Sequence, residues 1–67
     1  MKKDYGRFII TVRQEKGLFV SRIRRKLNNA MTAVISEATF ELALEEATKF
    51  ADILEKRVLQ QVELANA

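Results

Sequence analysis

Leu18-Phe19-Val20-Ser21-Arg22-Ile23-Arg24-Arg25-Lys26, preceded by Gly17 and followed shortly by the pair Asn28-Asn29, decides the fold. Read as a strand, it places Arg22, Arg24 and Lys26 on one face, because side chains alternate with a period of two. Read as a helix from Gly17 to Val34, it places Phe19, Ile23, Leu27, Ala30 and Val34 at helical spacing. Gly17 and the paired asparagines both interrupt such a helix, so the strand is preferred. The alternative architecture is a strand followed by two helices.

Upstream, Arg7-Phe8-Ile9-Ile10-Thr11-Val12-Arg13 is rich in β-branched and aromatic residues, with Phe8, Ile10 and Val12 on one face. Gln14-Glu15-Lys16-Gly17 is polar and ends in a residue that accepts a positive φ, which suits a hairpin loop. Downstream of the asparagines, Met31-Thr32-Ala33-Val34-Ile35-Ser36 reads as a third strand. Then the period changes. Phe40, Leu44, Ala47, Ala51, Leu54, Val58 and Val62 lie three or four apart, with Glu41, Glu45, Lys49, Asp52 and Lys56 facing outward. Ser36 or Thr39 can cap this helix, Glu37 and Glu41 complement its dipole, and Glu45–Lys49 and Asp52–Lys56 are favourable i,i+4 pairs.

The expected fold is therefore α+β. A three-stranded antiparallel sheet (β-β-β-α, residues about 7–36) carries one long C-terminal amphipathic helix (residues about 37–64), in a single domain covering 1–67. A helix of about 27 residues spans roughly 40 Å, whereas a six-residue strand covers about 20 Å. Its apolar stripe outruns a small sheet, so Leu54, Val58, Leu59 and Val62 are the expected interface of a homodimer.

Charge divides with structure. Residues 1–36 hold nine basic and two acidic side chains, residues 37–67 three basic and seven acidic, giving +7 and −4 within a net +3. Such asymmetry points to a polyanion or an acidic partner. On a strand, Arg22, Arg24 and Lys26 form a row that Arg7 and Arg13 of the neighbouring strand extend, with Arg25 beside them. Guanidinium rows on a flat ribbon suit phosphate oxygens, since each group donates two bonds. The same residues on an edge strand also serve to block aggregation. Phe8 and Phe19, at alternating strand positions, are read as core rather than as base-stacking platforms; Tyr5 is a further aromatic on this side.

The composition restricts chemistry. With 67 residues, no cysteine and no histidine, disulfides and the common zinc sites are excluded, and self-association is the remaining support for a small core. No Ser-His arrangement and no glycine-rich phosphate loop is present, so no enzyme, cofactor, metal or small-molecule substrate is expected. Apolar residues at 48% with charged residues at 31% read as globular. No apolar run approaches the roughly 18 residues of a membrane span, and Phe8-Ile9-Ile10 is too short for a signal-peptide core, so a cytoplasmic protein is expected.

The order hairpin, third strand, then Glu37-Ala38-Thr39-Phe40-Glu41-Leu42-Ala43-Leu44-Glu45-Glu46-Ala47 resembles the β-β-β-α module of HicB-type antitoxins over residues 7–54. In that family a strand runs into a threonine-started helix. The family's aspartate- and proline-bearing loop before the third strand, and its DNA-binding C-terminal domain, have no counterpart in these 67 residues. In general form the chain also looks like small phage-encoded inhibitors of the anti-CRISPR kind, which act by binding. Two functions follow as expectations. The first is a non-enzymatic regulator whose basic sheet face binds nucleic acid through Arg22, Arg24, Arg25 and Lys26. The second is a protein-binding inhibitor, phage anti-defence or antitoxin-like, whose basic face docks on an acidic protein surface.

Overall fold

In the structure, a computed structural model, the elements run β1 (Lys2–Tyr5), β2 (Phe8–Glu15), β3 (Leu18–Arg25), β4 (Met31–Glu37) and α1 (Phe40–Asn66). It describes the backbone of residues 1–66 and the side-chain surroundings of residues 1–60. The four strands form one antiparallel sheet in the order β1-β2-β3-β4, and α1 covers one face.

The decisive stretch is a strand. Lys16 and Gly17 form a two-residue loop with φ of 52° and 81°. Positive φ at both positions marks a type I′ turn, whose twist matches that of paired strands. Glu15 then lies opposite Leu18, and the ladder runs without interruption to Phe8 opposite Arg25. The loop is thus two residues shorter than the polar segment suggested. The alternative of a strand followed by two helices is overturned, since Leu18–Arg25 and Met31–Glu37 are both strands.

The sheet has four strands rather than three. Tyr5 and Phe8 face each other across a Gly6-Arg7 turn, with Gly6 at φ 57°. Glycine at the first central position fits a type II′ hairpin turn. Pairing reaches the chain terminus, where the Met1 ammonium donates to the Val12 carbonyl at 3.0 Å and the Val12 N–H donates to the Met1 carbonyl at 2.9 Å. β1 escapes the sequence reading because Lys2-Lys3-Asp4 has no apolar alternation. It is an edge strand held mainly by its backbone, and only Tyr5 is half-buried.

β3 and β4 are joined through Asn29, which adopts φ 56°, and Asn28, whose Oδ1 accepts the Ala30 N–H at 3.1 Å. A register shift between Ile23 and Arg24 adjusts β4 at this end. Helix α1 begins at Phe40, later than the expected residue 37, because Glu37 still belongs to β4. Of the two expected caps, Thr39 acts: its Oγ1 accepts the Leu42 N–H at 3.2 Å. The Glu45–Lys49 and Asp52–Lys56 pairs both form, at 3.1 Å.

The core is formed by Phe8, Ile10, Val12 and Ile23 of the sheet against Ala43, Ala47 and Ala51 of the helix. Three alanines at i, i+4 and i+8 let the helix backbone approach the strands closely. Ser21 is fully buried on the same face, and its Oγ donates to the Ala43 carbonyl at 2.7 Å, which satisfies the hydroxyl. Phe40, Leu44 and Leu54 pack at the margin, and Phe19 meets Phe40 edge-on with ring centroids 6.1 Å apart. Eight-residue strands reach about 27 Å, whereas the molecule is 48 Å long. Part of α1 therefore extends beyond the sheet.

Candidate nucleic-acid interface

Register decides which charged side chains share a surface. Residues opposite one another in an antiparallel ladder point to the same face. Phe8, Ile10 and Val12 lie under the helix, so Ile9, Thr11, Arg13 and Glu15 lie on the face the helix leaves uncovered. Their partners Arg24, Arg22, Val20 and Leu18 lie there too, as does Lys2 opposite Thr11. This open face holds a depression of about 510 Å³ lined by Thr11, Arg13, Gln14, Glu15, Arg22 and Arg24.

Arg22 is the most firmly held of the set by hydrogen bonds. Its guanidinium takes Glu15 in a two-pronged grip, Nη1 to Oε2 at 2.5 Å and Nη2 to Oε1 at 3.1 Å. That hydrogen bond holds the Glu15 carboxyl below its ordinary range and raises Arg22 further. Lys26 follows β3 and its Nζ lies 3.8 Å from Asp4 Oδ1, on the same open side. Both acids of this face are thereby neutralised. Among the described residues, Arg13 and Arg24 have no ion-pair partner. The surface is also partly apolar: Val20, opposite Arg13, is only 8% exposed although no helix lies over it.

Six basic residues were expected to form one patch, and four of them share the open face: Arg13, Arg22, Arg24 and Lys26. Arg7 and Arg25 do not. Arg7 sits in the β1–β2 turn and is drawn to the helix side by Glu55, which accepts from the Arg7 N–H at 3.0 Å and from Nη1 at 2.9 Å. Arg25 lies opposite Phe8, on the helix-covered face. The two line an apolar depression of about 250 Å³ with Phe8, Leu27 and Val58. Lys2, absent from the expected set, joins the open face because β1 exists; the Tyr5-Gly6-Arg7-Phe8 turn was the signal for it.

The expected dimer residues also divide. Leu54 is half-buried and packs against the margin of the core. Val58 is half-buried beside Arg7 and Phe8, and Leu59 is exposed. The side chain of Val62 lies outside the described residues.

A second polar cluster fastens β1 to the helix. The Tyr5 hydroxyl donates to Asp52 Oδ1 at 2.9 Å, which pushes the phenol above its ordinary range. Lys56 and then Tyr5 hold the Asp52 carboxyl below its own. On the opposite flank, a hydrogen bond with Glu37 at the end of β4 raises the Glu46 carboxyl. The helix thus lies with Asp52 and Glu55 toward β1 and Glu46 toward β4.

No family model matches this chain, and neither a curated protein nor a solved structure is found similar to it. No described helix is long and apolar enough to cross a membrane.

Proposed function

We propose that the chain is a non-enzymatic regulatory protein whose helix-free sheet face binds nucleic acid. The supporting observation is the convergence of Arg13, Arg22, Arg24, Lys2 and Lys26 on one face whose two acids, Glu15 and Asp4, are already paired. Arg22 and Arg24 stand about 7 Å apart along their strand, and Arg13 is on the strand about 5 Å away. Each free guanidinium can donate two bonds to a phosphate. The Arg22–Glu15 pair leaves the Arg22 planar group pre-set, and nucleic acid would compete with Glu15 for it.

The test is a titration of labelled duplex DNA and of RNA at several salt concentrations. Log affinity should fall linearly with log salt, by about 0.9 per phosphate contacted on a duplex. Arg13→Gln and Arg24→Gln should each lower that slope by about 1, while Arg25→Gln, on the covered face, should change it little. Absence of any complex at low salt ends this reading.

One observation favours a second reading. Leu18 and Val34, both exposed, lie on the same open face as the arginines. A mixed apolar and basic surface suits an acidic protein partner, as an antitoxin-like or anti-defence inhibitor would need. Such a complex would bury the aliphatic residues, so Val34→Asp would weaken it more than it weakens nucleic-acid binding by charge alone. Equal losses in both assays would remove the distinction in favour of nucleic acid.

A further inference from the structure

β4 is a free edge of a different kind from β1. β1 has four residues, two of them lysines and one an aspartate, and this is how natural sheets discourage edge pairing. β4 has seven residues, Met31-Thr32-Ala33-Val34-Ile35-Ser36-Glu37, with no proline, no lysine and a single charge at its end. Its outer row of N–H and C=O groups has no strand beyond it. Beside it the helix presents an apolar flank. Ala43, Ala47 and Ala51 face the sheet and Asp52 and Glu55 face β1, so the opposite flank of α1, which carries Glu46, looks toward β4. Phe50 and Ile53 follow Glu46 at i+4 and i+7 on that side and are 39% and 50% exposed. Val34 on the strand itself is 55% exposed.

The two ends of β4 carry opposite charge. Glu37 and Glu46 mark one end, and Arg24, Arg25 and Lys26 the other, since Arg24 is paired with Met31. An antiparallel neighbour of the same sequence would set each acidic end against the partner's basic end, twice over. We infer that β4 pairs antiparallel with β4 of a second copy, giving a continuous eight-stranded sheet closed by a two-fold axis, with Phe50 and Ile53 of the two helices packing over the seam. The contact is isologous and stops at two copies, because the β1 edges that remain are short and charged. Both open faces fall on the same side of the joined sheet. With strands about 4.8 Å apart, the two Arg13–Arg22–Arg24 patches lie about 19 Å from each other. The dimer is argued from the β4 edge, the α1 flank and the charges at the two ends of β4, and it is read as mass rather than as nucleic-acid binding, so its failure and the failure of nucleic-acid binding are separate results.

Light scattering of the purified chain at tens of micromolar (~10–100 μM) should give twice 7.7 kDa. Val34→Lys and Ile53→Lys should each shift the mass toward the monomer, and Leu59→Lys, on the side of the helix away from β4, should leave it unchanged. In hydrogen exchange, amides of Met31–Glu37 should become more protected as wild-type concentration rises, which settles the matter even where a variant does not fold. A wild-type monomer, concentration-independent exchange in β4, or a dimer lost only on Leu59→Lys would each overturn the inference.

Discussion

Gly6 and Glu55 meet across 49 residues of sequence, and their contact shows how much one missing Cβ can matter. A Cβ on Gly6 would come within 2.7 Å of the Glu55 carboxyl group, the same carboxyl that holds Arg7 by two hydrogen bonds. Gly6→Ala should therefore do two things: place an L-residue at φ 57° and displace Glu55. Gly17 has a positive φ as well but nothing within 4 Å, so Gly17→Ala carries the conformational cost alone, about 1 kcal/mol. Urea unfolding should rank Gly6→Ala as the more damaging of the two, and adding Glu55→Ala should recover the difference. Equal losses would mean that Glu55 moves aside freely. The single tyrosine offers a second measurement at this scale. Because Asp52 accepts from its hydroxyl, Tyr5 should ionise above the ordinary value of 10.0, and Asp52→Ala should return the absorbance midpoint toward it.

At the scale of elements, the long helix and the β2–β3 hairpin were legible in the sequence, since each repeats its apolar period over seven or more residues. The rival helix from Gly17 to Val34 arose from a degeneracy. Residues four apart share a face on a helix and also on a strand, so Phe19 and Ile23 cannot separate the two. Leu27 separates them: a helix would bury it with Ile23, yet it is 96% exposed in the β3–β4 turn. β1 left only its Gly6 turn as a signal, because an edge strand satisfied by backbone pairing needs no apolar pattern. The same invisibility misplaced Arg7, whose side depends on a turn and on a glutamate 48 residues away. The alanine face of the helix makes a sharp prediction. Ala47 is fully buried against the sheet, so Ala47→Leu should overpack the seam and cost about 1–3 kcal/mol in chemical denaturation. Thr39→Ala removes only the cap and should cost about 1 kcal/mol. The reverse order would show that the helix is held by its end rather than by its face.

For the whole molecule, the charge division along the chain becomes a division between surfaces, basic on the open sheet and largely acidic on the helix. Its titration has two opposing parts. Glu15 and Asp52 have folded pKa values below their ordinary 4.5 and 3.8, so the stability they contribute is present above those values and is lost as pH falls through the folded ones. Glu46 is raised above 4.5 by Glu37, so its contribution is present below 4.5 and is lost as pH rises through the raised value. Melting temperatures from about pH 3 to about pH 7 should climb out of the acid and then level off. In Glu46→Gln the loss above 4.5 is absent, so the climb should run further and level off at a higher plateau. A wild-type and variant profile of the same shape would remove the Glu37–Glu46 interaction from the account.

Strand order in space repeats strand order in the chain, β1-β2-β3-β4, with two of the three connections only two residues long. Every ladder can therefore close as soon as its second strand exists, without waiting for distant chain. The helix, made last, meets a finished sheet and needs only to lay its alanines upon it. Local closure of this kind shortens the search for the native state, and a chain with no proline has no slow isomerisation to await. Refolding of the single chain, followed by stopped-flow at concentrations too low for two copies to pair, should run as one fast exponential phase.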